Sequence, residues 1–294
     1  MPSNHPYSRS IAMQETSWIK DKICLVTGAS SGIGLATSWQ LAKLGATVIM
    51  IGRDDDRGRA AELKVRDKSG SSKTHLFLAD FASLAQVGSL AQKIQAKFPA
   101  LHVLINNAAV IPLNRQESED GFEMQLAVNH LAPFLLTNLL LPLMKDSRPA
   151  RIINVSSGVH YGETIDFADL QSKRSYDSNK VYGMTKLANI LFTTQLATML
   201  DGSGVTANSL HPGVIDTKLY QNFMGMGWPG AADDLELERG AATSLYLAAS
   251  PEVATMQGKY FAQQKERQPS AASQDVETAR RLWKLSAELV GLAT

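Results

Sequence analysis

Ile23-Cys24-Leu25-Val26-Thr27-Gly28-Ala29-Ser30-Ser31-Gly32-Ile33-Gly34 joins a short apolar run to a glycine-rich turn, and a helical pattern follows it. An unbroken apolar run of this length suits a strand buried on both faces. Glycines in the turn let the backbone pass close to a ligand, and the first N–H groups of the following helix have no partner inside it. Strand, turn and helix start together form a cradle in which those amides point at a pyrophosphate. The spacing is G-x-x-x-G-x-G rather than the commoner G-x-G-x-x-G.

The same strand-then-helix rhythm runs outward from this turn. Strands are expected near 23–27, 46–51, 75–79, 101–106, 151–156, 204–210 and 258–261, and helices near 33–44, 56–68, 83–97, 119–145, 178–200 and 239–249. Such alternation is the signature of a parallel sheet with helices on both faces. The predicted fold is α/β: a single-domain, Rossmann-type doubly wound sheet of about seven strands. Residues 1–17 read as a polar tail and residues 18–294 as one dinucleotide-binding domain. A loop is expected at 268–275, followed by an amphipathic helix over 276–290 that docks through Leu282, Trp283, Leu285 and Leu289.

At 44% hydrophobic and 19% charged residues, the 294-residue chain has the balance of a soluble globular protein. Its formal net charge of +1 gives no reason to expect a nucleic acid or an anionic membrane as partner. Cys24 is the only cysteine, so no intramolecular disulfide can form. That suits a reducing compartment, and the expected role of Cys24 is that of a small buried hydrophobe. The first 17 residues hold no apolar run long enough for a signal peptide or a membrane anchor. The most apolar stretch, Leu131 to Met144, carries Thr137, Asn138 and two prolines and reads as a buried helix. A cytoplasmic location is expected. His130, His160 and His211 are scattered without carboxylate or thiol partners, so no metal site is expected.

Downstream, Tyr182-Gly183-Met184-Thr185-Lys186 sets a phenol and an amine four residues apart, on one face of a helix. An ammonium beside a phenol favours the phenolate, so Lys186 is expected to draw the Tyr182 pKa below its reference of about 10. A phenol tuned in this way can trade protons with an alcohol or a carbonyl. Combined with the glycine turn, the pair points to an oxidoreductase.

The turn and the Tyr–Lys pair together resemble the short-chain dehydrogenase/reductase family, in its typical rather than extended branch. Further motifs follow in the family's order over roughly residues 20–265. The resemblance implies that Gly28, Ser30, Ser31, Gly32, Ile33 and Gly34 bind the cofactor. Asp80 and Phe81 end the third strand, where the family's acid contacts the adenine. Asn107 and Ala108 belong to Asn106-Asn107-Ala108-Ala109, which is similar to the family's Asn-Asn-Ala-Gly except for the methyl group of Ala109. Pro212-Gly213-Val214 with Thr217 matches the segment that cradles the nicotinamide, and Asn129 matches the family's helix asparagine. Alignment of Arg151-Ile152-Ile153-Asn154-Val155 with the family strand makes Ser157 the catalytic hydroxyl, with Ser156 the alternative if the strand ends early. The implied catalytic set is Asn129, Ser157, Tyr182 and Lys186. Ser157 would polarise a carbonyl, Tyr182 would move the proton, Lys186 would tune Tyr182 and hold the nicotinamide ribose, and Asn129 would complete the proton path.

Arg53 follows the second strand, where an acid would favour NAD. An arginine there can grip a 2′-phosphate, with Ser30 adding a hydroxyl, so NADP(H) is favoured over NAD(H). The alternative is a surface arginine paired with Asp54, Asp55 or Asp56. Pro133 leaves the Asn129 carbonyl without an N–H donor four residues on. In the family that carbonyl holds a water of the proton relay; the other reading of Pro133 is a plain kink. The stretch from Ile165 to Gln171, the helix run from Lys186 to Thr193, Gly258-Lys259-Tyr260-Phe261 and Arg281-Leu282-Trp283 resemble the retinol dehydrogenase-like branch, although no N-terminal membrane anchor is expected. Residues 218–238 include Tyr220, Phe223, Met224, Met226 and Trp228 among glycines, a makeup suited to a mobile apolar lid over a lipophilic carbonyl or alcohol substrate. Family members commonly dimerise through the helices near 119–145 and 178–200. A homodimer is therefore one reading, and a monomer is the other if the insert before Tyr182 covers that surface. Outside the enzyme class, the rival is an NADP-binding sensor or scaffold without turnover. Its mark would be loss of Tyr182 or Lys186, and both are present.

Overall fold

The computed structural model describes residues 18–226 and 230–293; the tail at 1–17 and Trp228 lie outside the described residues. In chain order the main elements are β1 (Ile23–Thr27), α1 (Gly32–Lys43), β2 (Thr47–Gly52), α2 (Asp55–Ser69), β3 (Thr74–Leu78), α3 (Leu84–Lys97) and β4 (Val103–Asn106). They continue as α4 (Met124–Leu126), a π-turn (Ala127–Leu131), α5 (Ala132–Asp146), β5 (Ala150–Val155), α6 (Ser178–Met199) and β6 (Val205–His211). The chain then forms α7 (Lys218–Phe223), α8 (Asp234–Ala249), β7 (Tyr260–Ala262), β8 (Lys265–Arg267) and α9 (Val276–Leu289). The strands make one sheet in the order β3-β2-β1-β4-β5-β6-β7-β8, parallel except for the β7–β8 pair.

Successive strand residues face opposite sides of a sheet, and here that alternation builds two cores. Cys24, Val26, Val48, Met50, Val103 and Ile105 pack with α1, α2 and α8 on one face. Leu25, Ile49, Ile51, Leu104 and Ile152 pack with α3, α5 and α6 on the other. Every central strand is therefore apolar at consecutive positions. Strand order reverses at β1, which pairs with both β2 and β4. Crevices at such a switch point, outside the carboxyl ends of the strands, are where doubly wound sheets bind ligands.

Four differences from the sequence expectation have local causes. The helix expected at 119–145 starts at Met124, because Gly121 takes φ +77° in a turn closed by a Glu117–Glu123 bridge, and the Glu123 carboxylate caps the Leu126 N–H at 2.7 Å. The helix expected at 239–249 starts at Asp234, capped by Asp233, which accepts from the Glu236 N–H at 2.8 Å. An additional helix, α7, occupies the start of the expected lid. An eighth strand, β8, adds to the expected seven; its Lys265-Glu266-Arg267 sequence is exposed and carries no apolar signal. The segment Met124–Asp146 is long and apolar enough to cross a membrane, yet 72% of its most apolar window is buried inside the fold.

Candidate active site

Thr27 ends β1 and closes the switch-point crevice. Its hydroxyl accepts from the Asn107 N–H at 2.9 Å and the Ala108 N–H at 3.0 Å, and the Asn107 side-chain amide donates to the Thr27 carbonyl at 2.9 Å. The β4 end is thereby stitched to the glycine turn. Gly28 and Gly32 adopt φ of +65° and +55°, which other residues rarely do. At Gly34 a Cβ would lie 2.3 Å from the Gly28 carbonyl oxygen, so only glycine lets α1 start this close to the turn. Gly28, Ser30, Ser31, Gly32, Ile33 and Gly34 line a long cleft that reaches Arg53 at one end and Thr217 at the other. Asp80, Phe81, Asn107 and Ala108 line it too. The glycine cradle, the helix start and a cationic end fit a dinucleotide phosphate ligand.

At the cationic end, Asp54 pairs with Arg57 at 3.4 Å and Asp55 with Arg59 at 2.8 Å. Among the described residues no carboxylate lies within ion-pair distance of Arg53. Asp54 and Asp55 thus find partners within the start of α2. Arg57 also lines the cleft, a second cation beside Arg53.

Of the expected catalytic residues, Ser157, Tyr182 and Lys186 line one cavity at the other end, while Asn129 is buried and lines neither cavity nor cleft. Asp177 caps α6 by accepting from the Asn179 and Lys180 N–H groups at 3.0 and 2.9 Å. From this helix Tyr182 and Lys186 point the same way, with the Lys186 amine 5.3 Å from the centre of the Tyr182 ring. The amine donates to the Val155 carbonyl at 2.9 Å. Ser156 donates to the Lys186 carbonyl at 2.7 Å, which ties α6 to the end of β5 and commits that hydroxyl to the backbone. Ser157 lines the cavity, and among the described residues its Oγ has only the Val159 N–H, at 3.4 Å. The Asn129 side chain accepts from the Val110 N–H at 2.8 Å and donates to the Val110 carbonyl at 3.1 Å and to Thr185 at 3.2 Å. Pro133 is the second residue of α5, immediately after the π-turn that contains Asn129.

One expectation reverses. Burial pushes the Tyr182 phenol up rather than down, and it pushes the Lys186 amine down to about 7. Both groups are removed from water, and desolvation of each charged form outweighs their mutual attraction.

Above Tyr182 lies an apolar cavity walled by Ile111, Val155, Val159, Leu219, Tyr220 and Phe223. The Phe223 ring in α7 sits 6.0 Å from the Tyr182 ring. Pro212, Gly213 and Val214 line this cavity, and Ile33, Asn107, Ala109 and Thr217 line both cavity and cleft, so the two meet there. Near the junction Asp216 accepts from Gln221 and, at 3.2 Å, from the Ala231 N–H.

The family model for short chain dehydrogenases matches residues 22–225. The chain belongs to the short-chain dehydrogenase family. It is an oxidoreductase of the retinol dehydrogenase-like subgroup. Retinol dehydrogenase 14 of Mus musculus is 44% identical over 92% of this chain and 86% of its own length. Polyprenol dehydrogenase of Mus musculus is 40% identical over 92% of this chain and 84% of its own. An uncharacterised protein from Mycobacterium paratuberculosis superposes with a TM-score of 0.78 at 29% identity, covering 95% of this chain and 97% of that one. A short chain dehydrogenase of Escherichia coli CFT073, complexed with NADPH, superposes with a TM-score of 0.67 at 25% identity over 86% of this chain and 99% of its own.

Beyond the short-chain dehydrogenase motifs, the structure adds Thr27, Arg57, Ile111, Val159 and His211 to the site. Thr27 stands inside the decisive stretch, but its partners are 80 residues away. Arg57, at helical spacing from Arg53, carried a readable signal. Ile111 and Val159 lie on turns whose direction no local pattern reveals.

Proposed function

We propose that the chain is an NADP(H)-dependent oxidoreductase that moves a hydride between the nicotinamide and a lipophilic carbonyl or alcohol. The observation that carries this reading is a largely apolar cavity, open to the cleft, whose wall holds Ser157, Tyr182 and Lys186. Arg53, with no carboxylate at ion-pair distance among the described residues, and Arg57 beside it support NADP(H) over NAD(H). The NADPH complex of the E. coli relative supports the same choice. Relatives named for retinol and for polyprenol support a long apolar alcohol or its carbonyl as substrate.

When bound, the cofactor supplies or accepts the hydride at its nicotinamide. The chain aims the substrate and carries the proton. Ser157 donates to the substrate oxygen and polarises the carbonyl. In reduction Tyr182 gives its phenolic proton to that oxygen, and in oxidation it takes the proton back. Lys186, as the ammonium, stabilises the resulting phenolate and holds the ribose hydroxyls. Ser156 cannot take the place of Ser157 without giving up its bond to the Lys186 carbonyl. Asn129 fixes the loop after β4 against α6 and stands on the proton path through its main chain. Leu219, Tyr220 and Phe223 wall the chamber on the side of α7.

The test is NADPH oxidation by purified protein against aldehydes and ketones graded by size and polarity, with Tyr182→Phe beside it. Turnover that rises with lipophilicity and is lost in the variant is expected. Tight NADPH binding with no turnover across the panel would turn the reading to a sensor or scaffold.

A further inference from the structure

Ser157 stands two residues beyond the last residue of β5, outside the hydrogen-bonded ladder. Among the described residues its hydroxyl has one long contact, with the Val159 N–H at 3.4 Å, which is too weak to hold it. The direction of the Ser157 side chain is therefore set by the turn that follows, the 3₁₀ segment Gly158–His160.

His160 anchors that turn. It is completely buried, and both ring nitrogens are engaged with backbone. Nδ1 lies 2.7 Å from the Ser157 carbonyl oxygen, and Nε2 lies 3.1 Å from the Ser270 nitrogen. A backbone N–H can only donate, so Nε2 accepts and Nδ1 carries the proton. That assignment makes the imidazole a neutral bridge from the Ser157 carbonyl to the Ser270 amide. The ring is held between Tyr161, with centroids 4.1 Å apart, and Tyr260, with centroids 5.0 Å apart. A second tie from the same turn runs from the Tyr161 hydroxyl to the Gln268 carbonyl. The turn bearing Ser157 is thus sewn to residues 268–270, the connection that leads into α9. Of the residues assigned to the chemistry only Ser157 takes part in these bonds, and it does so through its main-chain carbonyl.

We infer that His160 is a positioning residue for Ser157: its imidazole holds the Ser157 carbonyl against the Ser270 amide and so aims the Ser157 hydroxyl into the cavity. The inference rests on the reading of Ser157 as the donor to the substrate oxygen. Misplacement of a reacting group by about 1 Å costs on the order of 100-fold in rate, so loss of the bridge should appear in kcat and not in cofactor affinity.

The experiment compares His160→Phe, His160→Asn, Ser270→Pro and Ser157→Ala for kcat, substrate KM, NADPH Kd and melting temperature. His160→Phe keeps a ring between the tyrosines but loses both hydrogen bonds. His160→Asn restores a donor near Nδ1. Ser270→Pro deletes the amide donor together with a buried hydroxyl that makes no hydrogen bond among the described residues, and Ser270 already has φ −61°, which proline adopts. The expected result is a kcat loss of about 10- to 100-fold for His160→Phe with NADPH Kd within about twofold of the parent. His160→Asn should recover most of that loss, and Ser270→Pro should lower kcat severalfold at unchanged Kd. Wild-type kcat in His160→Phe would overturn the inference, as would equal losses in His160→Phe and His160→Asn. If His160→Phe does not fold, Ser270→Pro decides, and an unchanged kcat there overturns it as well. Ser157→Ala separates the two readings: if it retains full turnover, the assignment of Ser157 itself fails. If it abolishes turnover while His160→Phe and Ser270→Pro do not, only the role of His160 fails.

Discussion

Tyr182 and Lys186 are both buried at the chamber wall, and the electrostatics of the site follow from that. With the Lys186 amine pushed down to about 7 and the phenol pushed up, carbonyl reduction needs both groups protonated. Raising the pH through about 7 discharges the ammonium, so reductive kcat/KM should be flat on the acid side and fall above it. A pH–rate profile with no descending limb near that value would count against Lys186 as the partner of Tyr182. Tyr182→Phe should lower turnover by about 10²- to 10⁴-fold, the range of a general acid, at unchanged NADPH affinity. At the other end of the cleft, Arg53→Glu should raise the KM for NADPH by about tenfold or more and leave that for NADH nearly unchanged. Kinetics with both cofactors would check it, and equal effects on the two would remove Arg53 from the phosphate site. The chemistry-bearing residues were legible because Tyr182 and Lys186 are four apart on one helix and the glycines of 28–34 are contiguous. Ser157, Phe223 and Val159 depend on where turns deliver them. The direction of the tyrosine shift was not legible, because burial is a property of the assembled fold and not of a spacing.

At the scale of elements, α9 does the most to shape the surface of the molecule. Its residues Leu282, Trp283, Leu285 and Leu289 were readable as a docking face from helical spacing, but the acceptor of that face was not. Trp283 packs 4.8 Å from Phe134 on α5 and 5.7 Å from Phe192 on α6, while Leu282 joins Leu187 and Leu191. His130 adds a 2.8 Å contact to Ser286. The insert before Tyr182 joins in, with Ile165 and Phe167 packed on the same cluster. The apolar faces of α5 and α6 on which the homodimer reading rested are therefore covered by the chain itself. Of the two readings this favours a monomer, and light scattering of the full chain should find one. Removal of residues 276–294 should expose that face and give dimers or aggregates; a truncated chain that stays monomeric and fully stable would contradict this. Trp283→Ala should cost about 2–3 kcal/mol, below the roughly 3–5 kcal/mol of a fully buried ring because the indole is part-exposed. Urea unfolding would measure it.

Across the whole molecule, the parallel sheet was legible because β1, β2 and β4 are apolar on both faces, and that requirement writes short apolar runs into the sequence. The three-residue β8 and the short α7 leave no such trace, whereas the turn at Gly121 is marked by Asp120-Gly121 in a polar stretch that the helix expectation ran across. What no pattern could reveal is how many ionisable groups the finished fold takes out of water. Five histidines, His75, His102, His130, His160 and His211, are all pushed below their usual 6.5, with burial the leading cause in each. His130 is the extreme, pushed down to about 4. The sign of the consequence is fixed by linkage: between these two values the unfolded chain binds protons that the native state refuses, so stability rises with pH there and falls on acidification. For His130 alone the loss from about pH 6.5 to pH 4 is roughly 3 kcal/mol. The decline should begin well above the carboxylate range, since Asp54, Asp169 and Asp234 are themselves held below their usual 3.8 and stay ionised through that window. Denaturant midpoints at pH 7.5, 6.5, 5.5 and 4.5 would follow the decline. His130→Asn can retain a hydrogen bond in the core but cannot take up the proton. It should start less stable at neutral pH and lose less on acidification, so that the two curves converge toward pH 4. Parallel curves would mean that His130 is not the group that titrates.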